Sequence, residues 1–214
     1  GYIYQLDPGH AIGFPAGTGI AHCFLNNTDD EVEMIVLGDR TKKENKCAFP
    51  INHELKSTHQ NIWWSDFPKQ SLGGHNGAVG NLNFQRDAAE ISYIKNIKDL
   101  KRSKSFSYNN DTETFTTGVR LTDYVDLKTV GVWHEQMSPG KRSSWPHAHS
   151  QEEELAIILK GEIKVWLSGT IQTLKPGDCV YFKPGTNIAH TLLNESDETV
   201  EFLGIGEACD LVPA

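Results

Sequence analysis

Three imidazoles and a carboxylate recur at suggestive spacing along the second half of this chain: His147-Ala148-His149, then Glu154, then His190. In a strand, residues i and i+2 point to one face, so both imidazoles of an HxH can enter one cavity. Glu154, Ala156 and Ile158 share a face of the strand expected next, and the small or apolar character of the last two suits a barrel interior. His190 follows a Pro184-Gly185 turn and opens a strand on which His190, Leu192 and Asn194 share a face. Three neighbouring strands would thus direct four ligands at one point. Such a mixed nitrogen and oxygen set suits a divalent first-row metal: Mn, Fe, Ni, Cu or Zn. With coordination positions left open, the metal would act as a Lewis acid or bind oxygen.

Taken singly, each piece has a plainer explanation. An isolated HxH is more often surface or core histidine, Glu154 ends the acidic run Glu152-Glu153-Glu154, and His190 fits a hydrogen-bonded core residue. The joint pattern carries the inference.

The elements that must position these residues are legible from Val130 onward, where short apolar runs alternate with turn signals. The expected strands are TVGVWHEQ, WPHAH, ELAIIL, EIKVWL, TIQTL, CVYFKP, AHTLLN and TVEFLGIG. Between them lie SPGK, KG, LSGT, KPGD, PGTN and NESD, rich in the residues that tight turns require. Sustained helical periodicity is nearly absent. The expectation is an all-β antiparallel sandwich or barrel.

Residues 6–38 match residues 174–206 without a gap at a constant offset of 168, with 15 of 33 positions identical. The identities include Pro8/Pro176, Gly9/Gly177, Phe14/Phe182, Gly17/Gly185, His22/His190, Asn26/Asn194 and Gly38/Gly206. Two copies of one module are therefore expected. Gly1 falls opposite Gly169, so the first copy starts halfway, without a counterpart of residues 126–168. Half a barrel exposes a sheet edge. Upstream residues of a longer protein, strands from the middle segment, or a second chain would each repair it, and the first is favoured. The expected organisation is residues 1–40 as the C-terminal half of a first module, 41–125 as a linker with added strands, and 126–210 as a complete module. His22, with no HxH before it in this chain, reads as a core or vestigial residue unless upstream sequence supplies the other ligands.

The middle segment carries Trp63, Trp64 and Phe67 and a glycine-rich stretch, SLGGHNGAVGN, that lacks the strand-to-helix setting of a phosphate loop. A linker packed on the barrels, or a lid over a cavity, would each fit. Added strands are expected at Ile91 to Tyr93, Ser105 to Tyr108 and Thr114 to Leu121.

A formal net charge of −8 argues against nonspecific nucleic-acid binding, and the basic run Lys95 to Lys104 reads as a solvated face. No apolar run of about 18 residues suggests a membrane span. Cys23, Cys47, Cys179 and Cys209 are scattered, which fits free thiols in a reducing, cytoplasmic compartment, with Cys179 a buried structural thiol. The sequons at Asn26, Asn110 and Asn194 read as structural. His10, His53, His59, His75 and His134 lack ligand spacing. No GxSxG, Walker loop, HExxH or CxxC motif appears.

With these motifs assembled, the chain resembles the cupin superfamily. The stretch from Gly140 through HAHSQEEELAIILKG supplies a glycine, HxH, Glu154 and Gly161 at that superfamily's first-motif spacing. GDCVYFKPGTNIAHTLLN supplies Gly177, the Pro184-Gly185 turn, His190 and Asn194 of its second. The resemblance covers about residues 126–206 with both motifs and residues 1–38 with the second alone. It implies a double-stranded β-helix, or jelly-roll, barrel with His147, His149, Glu154 and His190 as ligands of a divalent transition metal. Gly140 stands one residue further from His147 than usual, and both copies share a longer turn, FPAGTGIAH and FKPGTNIAH, which bears on where His190 sits. The resemblance further implies either a metal-dependent enzyme of the dioxygenase type, with Glu154 also relaying a proton, or a non-catalytic metal- or sugar-binding or sensor module. Oxalate chemistry would want a further acid, and sugar-phosphate isomerisation a basic pocket. The expected partners are a small-molecule substrate or ligand and a second copy, as a homodimer.

Overall fold

A computed structural model describes residues 1–39, 42–80 and 92–207. Ten strands run in chain order: β1 (His10–Ile12), β2 (Ile94–Asn96), β3 (Thr117–Arg120), β4 (Val130–Met137), β5 (Glu154–Lys160), β6 (Ile163–Leu167), β7 (Thr170–Leu174), β8 (Cys179–Phe182), β9 (His190–Leu193) and β10 (Val200–Glu207). The one α-helix among the described residues, α1, is the single turn Leu121–Tyr124. The all-β expectation holds.

Strands β3 to β10 form two antiparallel sheets. One has the order β3-β4-β10-β5-β8 and the other β7-β6-β9. Among the described residues no hydrogen-bonded ladder closes them into one barrel. Isolated bridges, Arg142 to Leu193 and His147 to His190, add a further lane beside β9. The alternation of β4 explains how the sheets meet. Met137 points inward with Glu135 and Trp133, while Val132 and His134 point out. The inner core joins Met137, Ala156, Ile158, Ile163, Val165, Phe182, Leu192, Val200 and Phe202 from both sheets. On the outer face of the larger sheet, Val119, Leu121, Val132 and Leu203 pack with Ala11, Leu37, Ile97 and Leu100. The N-terminal and middle segments thus cover the outer surface of the larger sheet. At Gly13 an added Cβ would come within 2.3 Å of the Val125 carbonyl oxygen, so this contact needs glycine.

The matched segments 6–38 and 174–206 share their local hydrogen bonds. Thr18 Oγ1 donates to the Pro15 carbonyl at 3.0 Å, and Thr186 Oγ1 to the Lys183 carbonyl at 2.9 Å. Asn26 Nδ2 donates to the Asp30 carbonyl and Asn194 Nδ2 to the Glu198 carbonyl, both at 2.8 Å. Gly9 and Gly177 take φ of 95° and 92°, the left-handed region that favours glycine. Phe14 stacks on His22 at 3.4 Å as Phe182 stacks on His190 at 3.7 Å.

Several expected strands are absent. WPHAH is not a strand, because Pro146 lacks an N–H and side-chain bonds tie the stretch before it to β9: Ser143 Oγ accepts from the Leu192 N–H, and the Ser144 carbonyl accepts from the Thr191 hydroxyl. Ser105 to Tyr108 is not a strand either. Its Phe106 and Tyr108 instead stack around Phe115, and Tyr108 lies 4.3 Å from the Trp145 ring. Ile91 lies outside the described residues, Tyr93 stands in a turn, and the added strands begin at Ile94 and Thr117. Cys179, expected to be buried, is exposed because it occupies the outward face of β8; Cys209 lies outside the described residues. Asn194 is buried and bonded to the Met137 and Glu198 carbonyls, a structural role for that sequon. Among the described residues no helix is long and apolar enough to cross a membrane.

Candidate metal centre

The ladder register sets three of the four residues. Glu154 opens β5 opposite Gly206 of β10 and Phe182 of β8. His190 opens β9 opposite Leu167 of β6. His147 reaches the site through a two-way backbone bridge with His190, with N–O distances of 3.2 and 2.8 Å. The strand argument for HxH does not apply here. His147 and His149 lie in an irregular stretch, their ring planes 85° apart with centroids separated by 4.9 Å. They converge nonetheless, and donor atoms of His147, His149, Glu154 and His190 all lie within 4.8 Å of one another.

Neighbouring groups orient each ring. The Nδ1 of His147 faces the Trp145 carbonyl at 2.9 Å and Ser144 Oγ at 3.1 Å. The Nδ1 of His149 faces Glu152 Oε2 at 3.3 Å. With the protons on Nδ1, the Nε2 lone pairs of both rings are free to bind a cation, the tautomer selection common to metal-ligating histidines. His190 is held by its stack on Phe182, and its Nε2 lies 3.0 Å from Glu154 Oε2. His149 Nε2 approaches the same oxygen at 3.2 Å. The longer turn before His190 does not pull it away from the others. Gly185 N–H donates to the His149 carbonyl at 2.9 Å, tying that turn to the HxH stretch.

Burial raises the pKa of Glu154, but the His190 hydrogen bond and the charges of His190, His147 and His149 outweigh it. The carboxyl therefore sits below the ordinary carboxylate range. A charged carboxylate facing three imidazole nitrogens has the chemistry of a divalent transition-metal site. The Nδ1 of His190 is buried without a hydrogen-bond partner, so its ring is placed by stacking and by its Nε2 side alone. The geometry fits a metal.

One side of the cluster is open. His149 and Glu154 are partly exposed, and the sheet face beside them is made of small residues: Gly131, Gly204, Gly206 and Ala156. A Cβ at Gly131 would come within 2.4 Å of the Trp133 ring, and one at Gly206 within 2.9 Å of Glu152 Oε1. The missing side chains therefore leave room for the indole and for the carboxylate that orients His149. The Arg120 guanidinium lies 5.5 Å from the Trp133 ring centroid.

Sequence reasoning missed several supporting groups. The Glu152-Glu153-Glu154 run is not simply a solvated turn, since Glu152 faces His149 and Glu153 accepts from the Tyr181 hydroxyl at 2.7 Å. His134 is buried on the outer face. Arg102 donates to its Nδ1 at 2.7 Å, and its Nε2 lies 3.2 Å from Glu201. Only the fold joins residues so far apart in the chain. Glu135 is a further inward-facing acid whose pKa is raised by burial, offset in part by Thr116 and Arg102. It stands opposite Phe202, four register positions from the Gly206 row that holds Glu154.

Residues 133–206 match the Cupin_2 family, described as a cupin domain. No curated protein matches the chain. Among solved structures, it is similar to a sugar phosphate isomerase of the cupin superfamily from Silicibacter pomeroyi, with 22% identity and a TM-score of 0.47, over 53% of this chain and 74% of that one. A candidate sugar phosphate isomerase from Acidithiobacillus ferrooxidans is 33% identical with a TM-score of 0.43, over 44% of this chain and 60% of that one. A predicted oxalate decarboxylase from Thermotoga maritima is 22% identical with a TM-score of 0.38, over 43% of this chain and 79% of that one.

Proposed function

We infer that this chain is a metal-dependent cupin enzyme acting on a small molecule, with His147, His149, Glu154 and His190 as the ligands. The observation that carries the reading is the convergence of these four donors, with Nδ1 of His147 and of His149 each facing an oxygen acceptor. A bound divalent ion would supply Lewis acidity or a site for oxygen, as in dioxygenase-type oxidoreductases. The chain's own residues do the rest. Glu154, held ionised by the histidines, serves as a ligand and can take up a proton. Glu152 keeps His149 oriented. The glycine-lined face beside Trp133 admits the substrate while Phe182 and the inner core exclude water from the far side.

The same reading takes residues 1–40 as the second half of another cupin module, 41–125 as a connecting segment and 126–210 as the complete module, with a homodimer as the assembly. The alternative is a non-catalytic metal-binding or sensor module. The partial exposure of His149 and Glu154 favours the enzyme, because a purely structural site closes its coordination sphere.

Metal analysis tests the reading: one divalent ion per chain after metal-replete expression, lost on combined His147→Ala and His149→Ala substitution. Azide added to the cobalt-loaded protein then separates the two alternatives. A change in the visible spectrum indicates an open coordination position, and an unchanged spectrum indicates a closed, non-catalytic site.

A further inference from the structure

The ladder register puts a cation on the same sheet face as the metal cluster. Arg120 of β3 stands opposite Trp133 of β4, Trp133 opposite Gly204 of β10, and Gly204 opposite Ala156 of β5. The adjoining row runs from Gly131 through Gly206 to Glu154. Both rows alternate with Val119, Val132 and Leu203 of the outer core, so both face inward. Between Arg120 and Glu154 lie Gly131, Gly204, Gly206 and Ala156, with Trp133 the one large side chain among them.

The glycines are not equivalent. The Trp133 ring lies over Gly131 and Glu152 reaches over Gly206, but a Cβ at Gly204 would meet nothing nearer than the Trp133 Cβ at 3.9 Å. The face is therefore open at Gly204, with the indole on one side and Ala156 and Glu154 on the other. Gly204 and Trp133 are partly exposed, so solvent reaches this opening. The Arg120 guanidinium lies 5.5 Å from the Trp133 ring centroid, and the ring holds it by a cation–π contact. Its Nε stands 3.5 Å from Asp123 Oδ1, on a side chain that is 60% exposed, and a carboxylate in water at that distance is a weak partner.

We propose that the opening at Gly204 is a substrate trough in which Arg120 binds an anionic group, Trp133 covers the carbon chain, and the far end reaches the cluster of His147, His149, Glu154 and His190. This rests on the metal reading of that cluster. The planar fork of a guanidinium matches the oxygens of a carboxylate or of a phosphate, and the two share this chemistry. Three strand spacings separate Arg120 from Ala156, about 14 Å of backbone, and the guanidinium reaches back toward Trp133. The two ends of the ligand therefore stand on the order of 8 Å apart, the span of a chain of about six carbons. The substrate class is a small anion with an oxygen-bearing group at the end opposite its charge.

Calorimetric titration of the full chain, metal-free and cobalt-loaded, tests this with acetate, inorganic phosphate, succinate and adipate as probes. In the metal-free chain acetate or phosphate should bind, shift the indole NMR signal that Trp133→Phe removes, and lose about tenfold or more in affinity on Arg120→Gln. Whichever of the two binds tighter names the anionic group. Asp123→Asn removes a competing carboxylate and should tighten binding about two- to fivefold. Were Arg120 only a structural partner of Asp123, that substitution would bring no gain. Gly204→Leu fills the opening and should abolish binding in a chain that stays folded by circular dichroism. If Arg120→Gln does not fold, Gly204→Leu and Asp123→Asn decide. In the cobalt-loaded chain adipate should bind about tenfold tighter than acetate, and succinate, too short to span the trough, should not. Unchanged affinity in folded Arg120→Gln or Gly204→Leu, or no binding of any probe to the wild type, overturns the proposal. Arg120-dependent binding without the adipate gain, in a chain that holds cobalt, overturns the shared trough. The same result in a chain that takes up no metal ends the metal reading and leaves the anion site standing.

Discussion

Val200, Phe202 and Leu192 lie within a core, and the matching Val32, Met34 and Phe24 are exposed, yet both segments make the same turns. Each has a left-handed glycine at the same place, the same asparagine bond across the following loop, and the same histidine stacked on a phenylalanine. The comparison separates two things a chain segment can encode. Turn geometry is local, because glycine, proline, threonine and asparagine satisfy their bonds within a few residues. Burial, and with it the gathering of His147, His149 and Glu154 around His190, depends on residues 130–167, which accompany one segment only.

Substitutions at matched positions are the sharpest way to break that comparison. Phe202→Ala removes a fully packed ring and should cost about 3–5 kcal/mol, whereas Met34→Ala should change stability by no more than about 0.5 kcal/mol. Chemical denaturation of both variants measures the difference, and equal losses would mean that the N-terminal segment is buried in solution. Asn194→Ala leaves the buried Met137 carbonyl without its donor and should cost about 1–3 kcal/mol. Asn26→Ala, at an exposed loop, should fall within about 0.5 kcal/mol.

Two further tests concern features the N-terminal segment lacks. Glu152→Ala removes the acceptor at His149 Nδ1 and should weaken metal binding about 10- to 100-fold by competition titration. Phe14→Leu should leave it unchanged. The smallest effect is one of pH. Burial and the Arg102 charge hold the His134 pKa below the ordinary histidine value, outweighing Glu201. The unfolded chain therefore binds the extra proton first, and stability falls as pH drops through about 6.5. His134→Gln should flatten that part of the profile. Glu154 has the depressed pKa of a carboxylate, so its contribution persists until pH falls below about 4.3. The two windows are distinct in thermal melts across pH.

Much of this architecture is legible in the sequence. Strands β4 to β10 follow apolar runs between Gly-, Pro- and Asn-rich turns, and their register follows from alternation. The cluster was legible as residue types at a spacing, but for one wrong reason. His147 and His149 do not share a strand face. They converge because His147 bridges to His190 and Gly185 ties the next turn to His149. Pro146 and the serines before it change the local structure without changing the outcome. The middle segment was poorly legible since its aromatics, such as Phe106, Tyr108 and Phe115, cluster by side chain rather than by a ladder. The Arg102–His134–Glu201 contact and the exposure of Cys179 depend on which face a strand turns outward, which composition does not state.

Metal stoichiometry in paired histidine variants is the most direct test of the central claim. The chain as it stands should hold one divalent ion, lose it on His190→Ala, and keep it with unchanged affinity on His22→Ala. Full metal content in His190→Ala, or loss of the ion in His22→Ala, would contradict the assignment of the site to residues 147, 149, 154 and 190.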